Sequence, residues 1–158
     1  MAGARCTIMP AGSEADDRRQ APGEPTSLVV GKPTATVIVV DDDASIRRAL
    51  GRQLQILGFS VLEFASAEAF LESDFPTCDT CLLLDVYMPG MTGIELCRSL
   101  AASGRCLPTI LISGRDDPQT RKMMRDANPI ASLLKPFDEK SLLRAIRKAV
   151  PARANSPH

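Results

Sequence analysis

Residues 81–93 read Cys81-Leu82-Leu83-Leu84-Asp85-Val86-Tyr87-Met88-Pro89-Gly90-Met91-Thr92-Gly93. Cys81 to Leu84 is an unbroken apolar run, short enough for a strand buried on both faces. It stops at a carboxylate, Asp85. The loop Met88-Pro89-Gly90-Met91 follows, and Thr92-Gly93-Ile94-Glu95 then has the capping-box spacing, which predicts a helix start. A buried strand, an acid at its carboxyl end, a short loop and a capped helix make one strand–helix unit of a parallel sheet.

The same unit recurs on either side. Upstream, Thr36-Val37-Ile38-Val39-Val40 is a β-branched run, followed by Asp41-Asp42-Asp43. A helix with Ile46, Ala49, Leu50, Leu54 and Leu57 comes next, closed by Gly58 at its C-terminal cap. Ser60 to Phe64 alternates as an edge-like strand, and Ser66 caps a helix containing Ala69, Phe70 and Leu71. Downstream, Thr109 to Ile112 ends at Ser113-Gly114, and Asp117-Pro118 opens a helix carrying Met123 and Met124. Ala131 to Leu134 ends at Lys135-Pro136, and Asp138 caps a last helix with Leu142, Leu143, Ile146, Ala149 and Val150. Five units in strict alternation predict an α/β fold whose parallel sheet is covered on both faces. No internal repeat interrupts them.

Composition bounds what such a domain does. The 158 residues suffice for one domain, 44% hydrophobic and 24% charged. Lys+Arg and Asp+Glu both number 19, so no basic excess suggests a nucleic-acid groove. No room for a helix-turn-helix follows residue 150, and direct nucleic-acid binding is not expected. No run of 18 apolar residues predicts a membrane span, and the N-terminus lacks the pattern of a signal peptide. A cytoplasmic protein is expected. Residues 1–34 hold four Pro, four Gly, no aromatic residue and four charges of each sign, a composition that predicts a disordered tail. The folded domain is expected over 35–150, with a short tail at 151–158. Cys6, Cys78, Cys81, Cys97 and Cys106 show no framework spacing. Cys78 and Cys81 form a C-x-x-C, but Cys81 begins an apolar run and reads as a small buried hydrophobe.

The polar residues of interest all stand where strands end: Asp41 and Asp42, Asp85, Ser113, and Lys135. Open parallel sheets bind ligands there, near a topological switch point. Singly, each has an ordinary explanation, such as a helix cap or a turn, and Asp43 is expected to be a cap. Jointly, five such residues on four strand ends point to one site. If the first and third strands are neighbours, three carboxylates converge beside a hydroxyl and an ammonium. Close carboxylates repel unless compensated, and Mg²⁺ with its oxygen ligands compensates them. Charge neutralisation, positioning and an in-line carboxylate nucleophile are what phosphoryl transfer onto aspartate requires.

The stretches Val39-Val40-Asp41-Asp42-Asp43, Leu84-Asp85-Val86-Tyr87-Met88-Pro89-Gly90-Met91-Thr92-Gly93, Ile112-Ser113 and Lys135-Pro136-Phe137 resemble the response-regulator receiver family over about 35–150. Gly58 to Leu71 is similar to receivers of nitrogen-fixation regulators. The resemblance implies a flavodoxin-like, doubly wound five-stranded sheet of order 2-1-3-4-5. It implies that Asp85 is phosphorylated by a histidine kinase or a histidine phosphotransfer protein. Mg²⁺ would be held by Asp41, Asp42, Asp85 and the Tyr87 carbonyl, with Ser113 as the switch hydroxyl and Lys135 on the phosphoryl oxygens. The Lys135–Pro136 bond would be cis. Output would pass to a further protein, through the last helix–strand–helix face, where Met123 and Met124 stand as candidates. Two departures stand out. Ser132 occupies the place of the usual switch aromatic, and Asn128-Pro129 replaces the usual turn.

Two other functions stay in play at this level. A Mg²⁺-dependent phosphatase with an aspartate nucleophile would want an acid two residues further on; after Asp85 that residue is Tyr87, after Asp41 it is Asp43. A receiver-like interaction module that is never phosphorylated is compatible with Ser132.

Overall fold

Alternation within the strands sorts their side chains onto two sheet faces. The computed structural model describes residues 35–105 and 107–151. The tails expected at 1–34 and 151–158 lie, apart from Pro151, outside them. The chain runs β1 (Thr36–Val40), α1 (Ala44–Ile56), β2 (Ser60–Phe64), α2 (Ala67–Leu71), β3 (Thr80–Asp85), α3 (Gly93–Ala102), β4 (Thr109–Ser113), α4 (Pro118–Asp126), β5 (Ala131–Leu134) and α5 (Glu139–Ala149). All strand pairs are parallel, in the order β2-β1-β3-β4-β5. This is the flavodoxin-like arrangement expected from the resemblance.

Ile38, Val40, Leu82, Leu84 and Leu111 face one way and pack with Phe70 of α2, Leu96 and Leu100 of α3, and Met124 of α4. Val37, Val39, Leu83, Ile110 and Ile112 face the other way, onto Leu50 and Leu54 of α1 and Leu142, Ala145 and Ile146 of α5. The sheet is thus sandwiched between two apolar layers, and burial of both faces drives the fold. Met124 belongs to this core, and Met123, half-buried, packs against it.

Each helix begins where the sequence offers a cap. Asp43, Ser66, Thr92, Asp117 and Asp138 all accept a first-turn N–H, and Thr92 with Glu95 completes the capping box. Gly58, at φ +99°, ends α1 in the left-handed region, and Asn128 takes φ 55° in the turn before β5. Cys81 is a free thiol with no exposed surface, and burial pushes its pKa up to about 12, the opposite of an activated thiol. Cys78 is disulfide-bonded, and Cys81 is not its partner.

Candidate functional site

Register brings the acids together. Val40 pairs with Leu84, so Asp41 and Asp85, each the next residue on its strand, end side by side. Asp42 follows at the rim. One carboxylate oxygen from each of the three lies within 4.8 Å of the others. Asp41 and Asp85 are buried and Asp42 is exposed. On the far side, Ser113 pairs with Leu134, which delivers Lys135 to the same end of the sheet. The Lys135 Nζ donates to Asp41 Oδ2 and to Asp85 Oδ1, each at 3.2 Å. The peptide bond from Lys135 to Pro136 is cis.

The electrostatics follow from crowding. Burial pushes the Asp85 pKa up to about 6; Asp41 and, more weakly, Asp42 add to it, while Lys135 opposes. For Lys135, burial alone would lower the pKa, but the Asp85 and Asp41 carboxylates reverse that and hold it above its ordinary value. Three carboxylates against one ammonium leave the cluster short of positive charge. The donors are hard oxygens, open to solvent on the Asp42 side, and so fit Mg²⁺ with part of its water shell.

The surrounding contacts hold this cluster in place. Asp41 Oδ1 accepts the Asp43 N–H at 2.9 Å, and the Asp41 carbonyl accepts from Arg47 Nη1 at 2.7 Å. Asp43 is spent as the α1 cap, accepting from the Ser45 and Ile46 N–H groups at 2.9 and 3.2 Å. Gly93 lets the first turn of α3 close onto the end of β3. A Cβ there would collide with the Asp85 carbonyl oxygen and stand 3.1 Å from Val86 Cα.

Ser113 is fully buried at the end of β4. It does not touch the acids: its hydroxyl accepts the Arg115 N–H at 2.9 Å and donates to the Arg115 carbonyl at 3.2 Å. Tyr87 stacks beneath the Arg115 guanidinium, 4.1 Å from the ring centroid, and its hydroxyl lies 2.7 Å from Thr120 Oγ1. Arg47 and Thr120 are the site neighbours that sequence reasoning missed. Arg47 carried only its position on the first turn of α1 as a signal, and Thr120 only its place three residues after a cap. Ser132 is exposed. With Leu134 and the α4 residues Arg121, Met124 and Arg125 it lines a hollow of about 280 Å³.

Comparison with known proteins agrees with this fold. The family model described as the response regulator receiver domain matches residues 37–147. The response regulator protein TmoT of Ectopseudomonas mendocina is 38% identical over 133 residues, covering 84% of this chain and 60% of that protein. The transcriptional regulatory protein FixJ of Azorhizobium caulinodans is 33% identical over 114 residues, covering 72% of this chain and 54% of that protein. The crystal structure of FixJ-N superposes with a TM-score of 0.68 at 34% identity, covering 73% of this chain and 93% of that one. The chain thus spans roughly half to three-fifths of the length of these curated relatives. With residues 37–147 matched by the family model and its fold in agreement, the chain belongs to the response-regulator receiver family.

Proposed function

We propose that Asp85 is the phosphoacceptor of a two-component or phosphorelay system, taking its phosphoryl group from the phosphohistidine of a histidine kinase or histidine phosphotransfer protein. One observation carries this reading: Asp41, Asp42 and Asp85 converge within 4.8 Å while Lys135 bonds two of them. An Asp85 carboxylate oxygen forms the new O–P bond as the donor's N–P bond breaks, the electron pair leaving with the imidazole, which is then protonated. Hydrolysis reverses the state: a water oxygen attacks phosphorus, the O–P bond to Asp85 breaks, and inorganic phosphate leaves. The domain catalyses only these two events on itself.

Asp41, Asp42, Asp85 and the Tyr87 carbonyl would hold Mg²⁺. When bound, that ion supplies charge neutralisation for the phosphoryl oxygens. Lys135 neutralises another oxygen, and Ser113 offers its hydroxyl to a third once it is freed from Arg115. The setting we assign is cytoplasmic. Among the described residues no helix is long and apolar enough to cross a membrane. Output would reach a further protein through the face made by α4, β5 and α5, where Leu134 is exposed.

The phosphatase alternative loses its acid. Two residues past Asp85 stands Tyr87, whose hydroxyl is engaged by Thr120, and Asp43 is consumed as a helix cap. The test is acetyl phosphate with Mg²⁺, followed by the mass of the intact protein. A persistent adduct of one phosphoryl group, absent in Asp85→Asn, supports the assignment. Continuous turnover indicates a phosphatase, and no adduct indicates a module that is not phosphorylated. Asp42→Ala is expected to weaken Mg²⁺ binding in a calorimetric titration; unchanged affinity counts against Asp42 as a ligand.

A further inference from the structure

Two hydrogen-bonded units meet at Tyr87. On one side lies Ser113, whose hydroxyl both donates to the Arg115 carbonyl and accepts the Arg115 N–H. Arg115 in turn lies over the Tyr87 ring at 4.1 Å, within cation–π range. On the other side the Tyr87 hydroxyl meets Thr120, a fully buried residue in the first turn of α4. Thr120 Oγ1 donates to Asp117 Oδ2 at 2.9 Å, and Asp117 Oδ1 accepts the Thr120 N–H at 2.8 Å.

The direction of this chain is fixed by proton count. A hydroxyl has one proton, and an ionised carboxylate only accepts. Thr120 therefore gives its proton to Asp117 and accepts from Tyr87. Tyr87 O–H, Thr120 O–H and the Asp117 carboxylate form one ordered relay ending on the N-cap of α4. Such chains strengthen cooperatively and respond as a unit.

We propose that Tyr87 is the aromatic element that reports phosphorylation to α4, with Arg115 as its input and Thr120 as its output. This rests on the reading of Asp85 as the phosphoacceptor. A phosphoryl group on Asp85 offers the Ser113 hydroxyl an anionic acceptor stronger than the Arg115 carbonyl. Turning to it releases Arg115, whose guanidinium is itself drawn toward the new negative charge. The ring of Tyr87 then loses its cover, and the hydrogen bond that ties the β3–α3 loop to the first turn of α4 re-forms in a different geometry. β5, Ala131–Leu134, contains no ring that could do this instead.

The experiment compares backbone amide resonances of Asp117–Thr120 before and after acetyl phosphate with Mg²⁺, alongside intact mass, in the wild-type full chain and three variants. In the wild type, both the adduct and the α4 response are expected. Thr120→Val takes up the phosphoryl group to the same extent, but its α4 response falls by at least about fivefold, since it loses the hydrogen bond from Tyr87 together with the one to Asp117. Thr120→Ser restores it. Tyr87→Phe shows the same loss per phosphorylated molecule, which keeps the test decisive if Thr120→Val fails to fold. An undiminished response in Thr120→Val or Tyr87→Phe overturns the relay while leaving Asp85 as acceptor. An adduct without any α4 response in the wild type overturns it equally. Absence of the adduct in the wild type removes the phosphoacceptor reading, and the relay with it.

Discussion

Asp85 is a carboxylate crowded by burial and by its own neighbours. With its folded pKa at about 6 against an ordinary 3.8, the folded chain binds this proton at higher pH than the unfolded chain does. The associated stability is fully present below pH 3.8 and is lost as pH rises through 6. Converted directly, that difference is about 3 kcal/mol; solvent at the open side of the cluster screens it to roughly 1–2 kcal/mol. Asp85→Asn is therefore expected to be more stable than wild type by about 1–2 kcal/mol in urea unfolding at pH 8, and the gain should vanish below pH 4. Lys135 still has Asp41 as a partner in that variant. A loss of stability at pH 8 would mean that the Lys135 contact outweighs carboxylate crowding. The neighbours of Asp85 also bear on how long the phosphoryl group survives. On the reading of Asp85 as phosphoacceptor, we expect water to approach it past Tyr87 and Arg115, which cover each other at 4.1 Å, and neither orients a water as an acid or amide would. Tyr87→Asn with Arg115→Glu is expected to speed phosphate release after donor removal by about tenfold, below the roughly 10²–10⁴ of a full general base. Equal or slower release would show that these positions do not gate hydrolysis.

Elements differ in how plainly the chain announced them. Five strands and five helices were legible because apolar runs and caps are local signals: Asp43, Ser66, Thr92, Asp117 and Asp138 sit at the observed helix starts. The acids were legible because a parallel strand ends at its own acid, whatever the rest of the fold does. Contacts between elements were not. Tyr87 and Thr120 are 33 residues apart, and nothing local to either says that they meet. The same holds for Arg47 beneath the Asp41 carbonyl, which depends on the exit angle of α1. Met124 was ambiguous because a methionine at helical spacing suits core and surface alike, and only the packing of α4 decided it. A tight backbone junction between elements lies at Gly93. Because an added methyl would collide with the Asp85 carbonyl, Gly93→Ala must push α3 outward or bend the end of β3. We expect a loss of about 1–3 kcal/mol, as for overpacked sites, together with slower phosphoryl uptake. A variant with wild-type stability and uptake would show that the first turn of α3 is looser than its geometry indicates.

At the scale of the molecule, the question is where the cooperative unit begins. Among the described residues the two apolar layers extend from Val37 to Val150, and the family match runs over 37–147. Ala35 and Thr36 are tied in by backbone bonds to Ser60 and Asp79, so the sheet is closed at its N-terminal edge by residues at the start of β1. Residues 1–34 add little that such a core could use. Their longest apolar run is Leu28-Val29-Val30, set among Pro22, Pro25, Gly31 and Pro33. Burying those three side chains would return at most about 1.5–3 kcal/mol each. Ordering the segment needed to deliver them costs about 1–2 kcal/mol per residue, and the segment is longer than the run. The balance is unfavourable, so we expect a chain starting at Ala35 to unfold at the same urea midpoint and with the same slope as the full chain. The slope matters as much as the midpoint, since it scales with the surface exposed on unfolding. A lower midpoint with a smaller slope would mean that the first 34 residues dock on the domain and unfold with it. Phosphoryl uptake by the shortened chain separates the two roles that such docking would have. Unchanged uptake with a lower midpoint would place the contact away from the strand ends, and reduced uptake would place it over the acidic cluster.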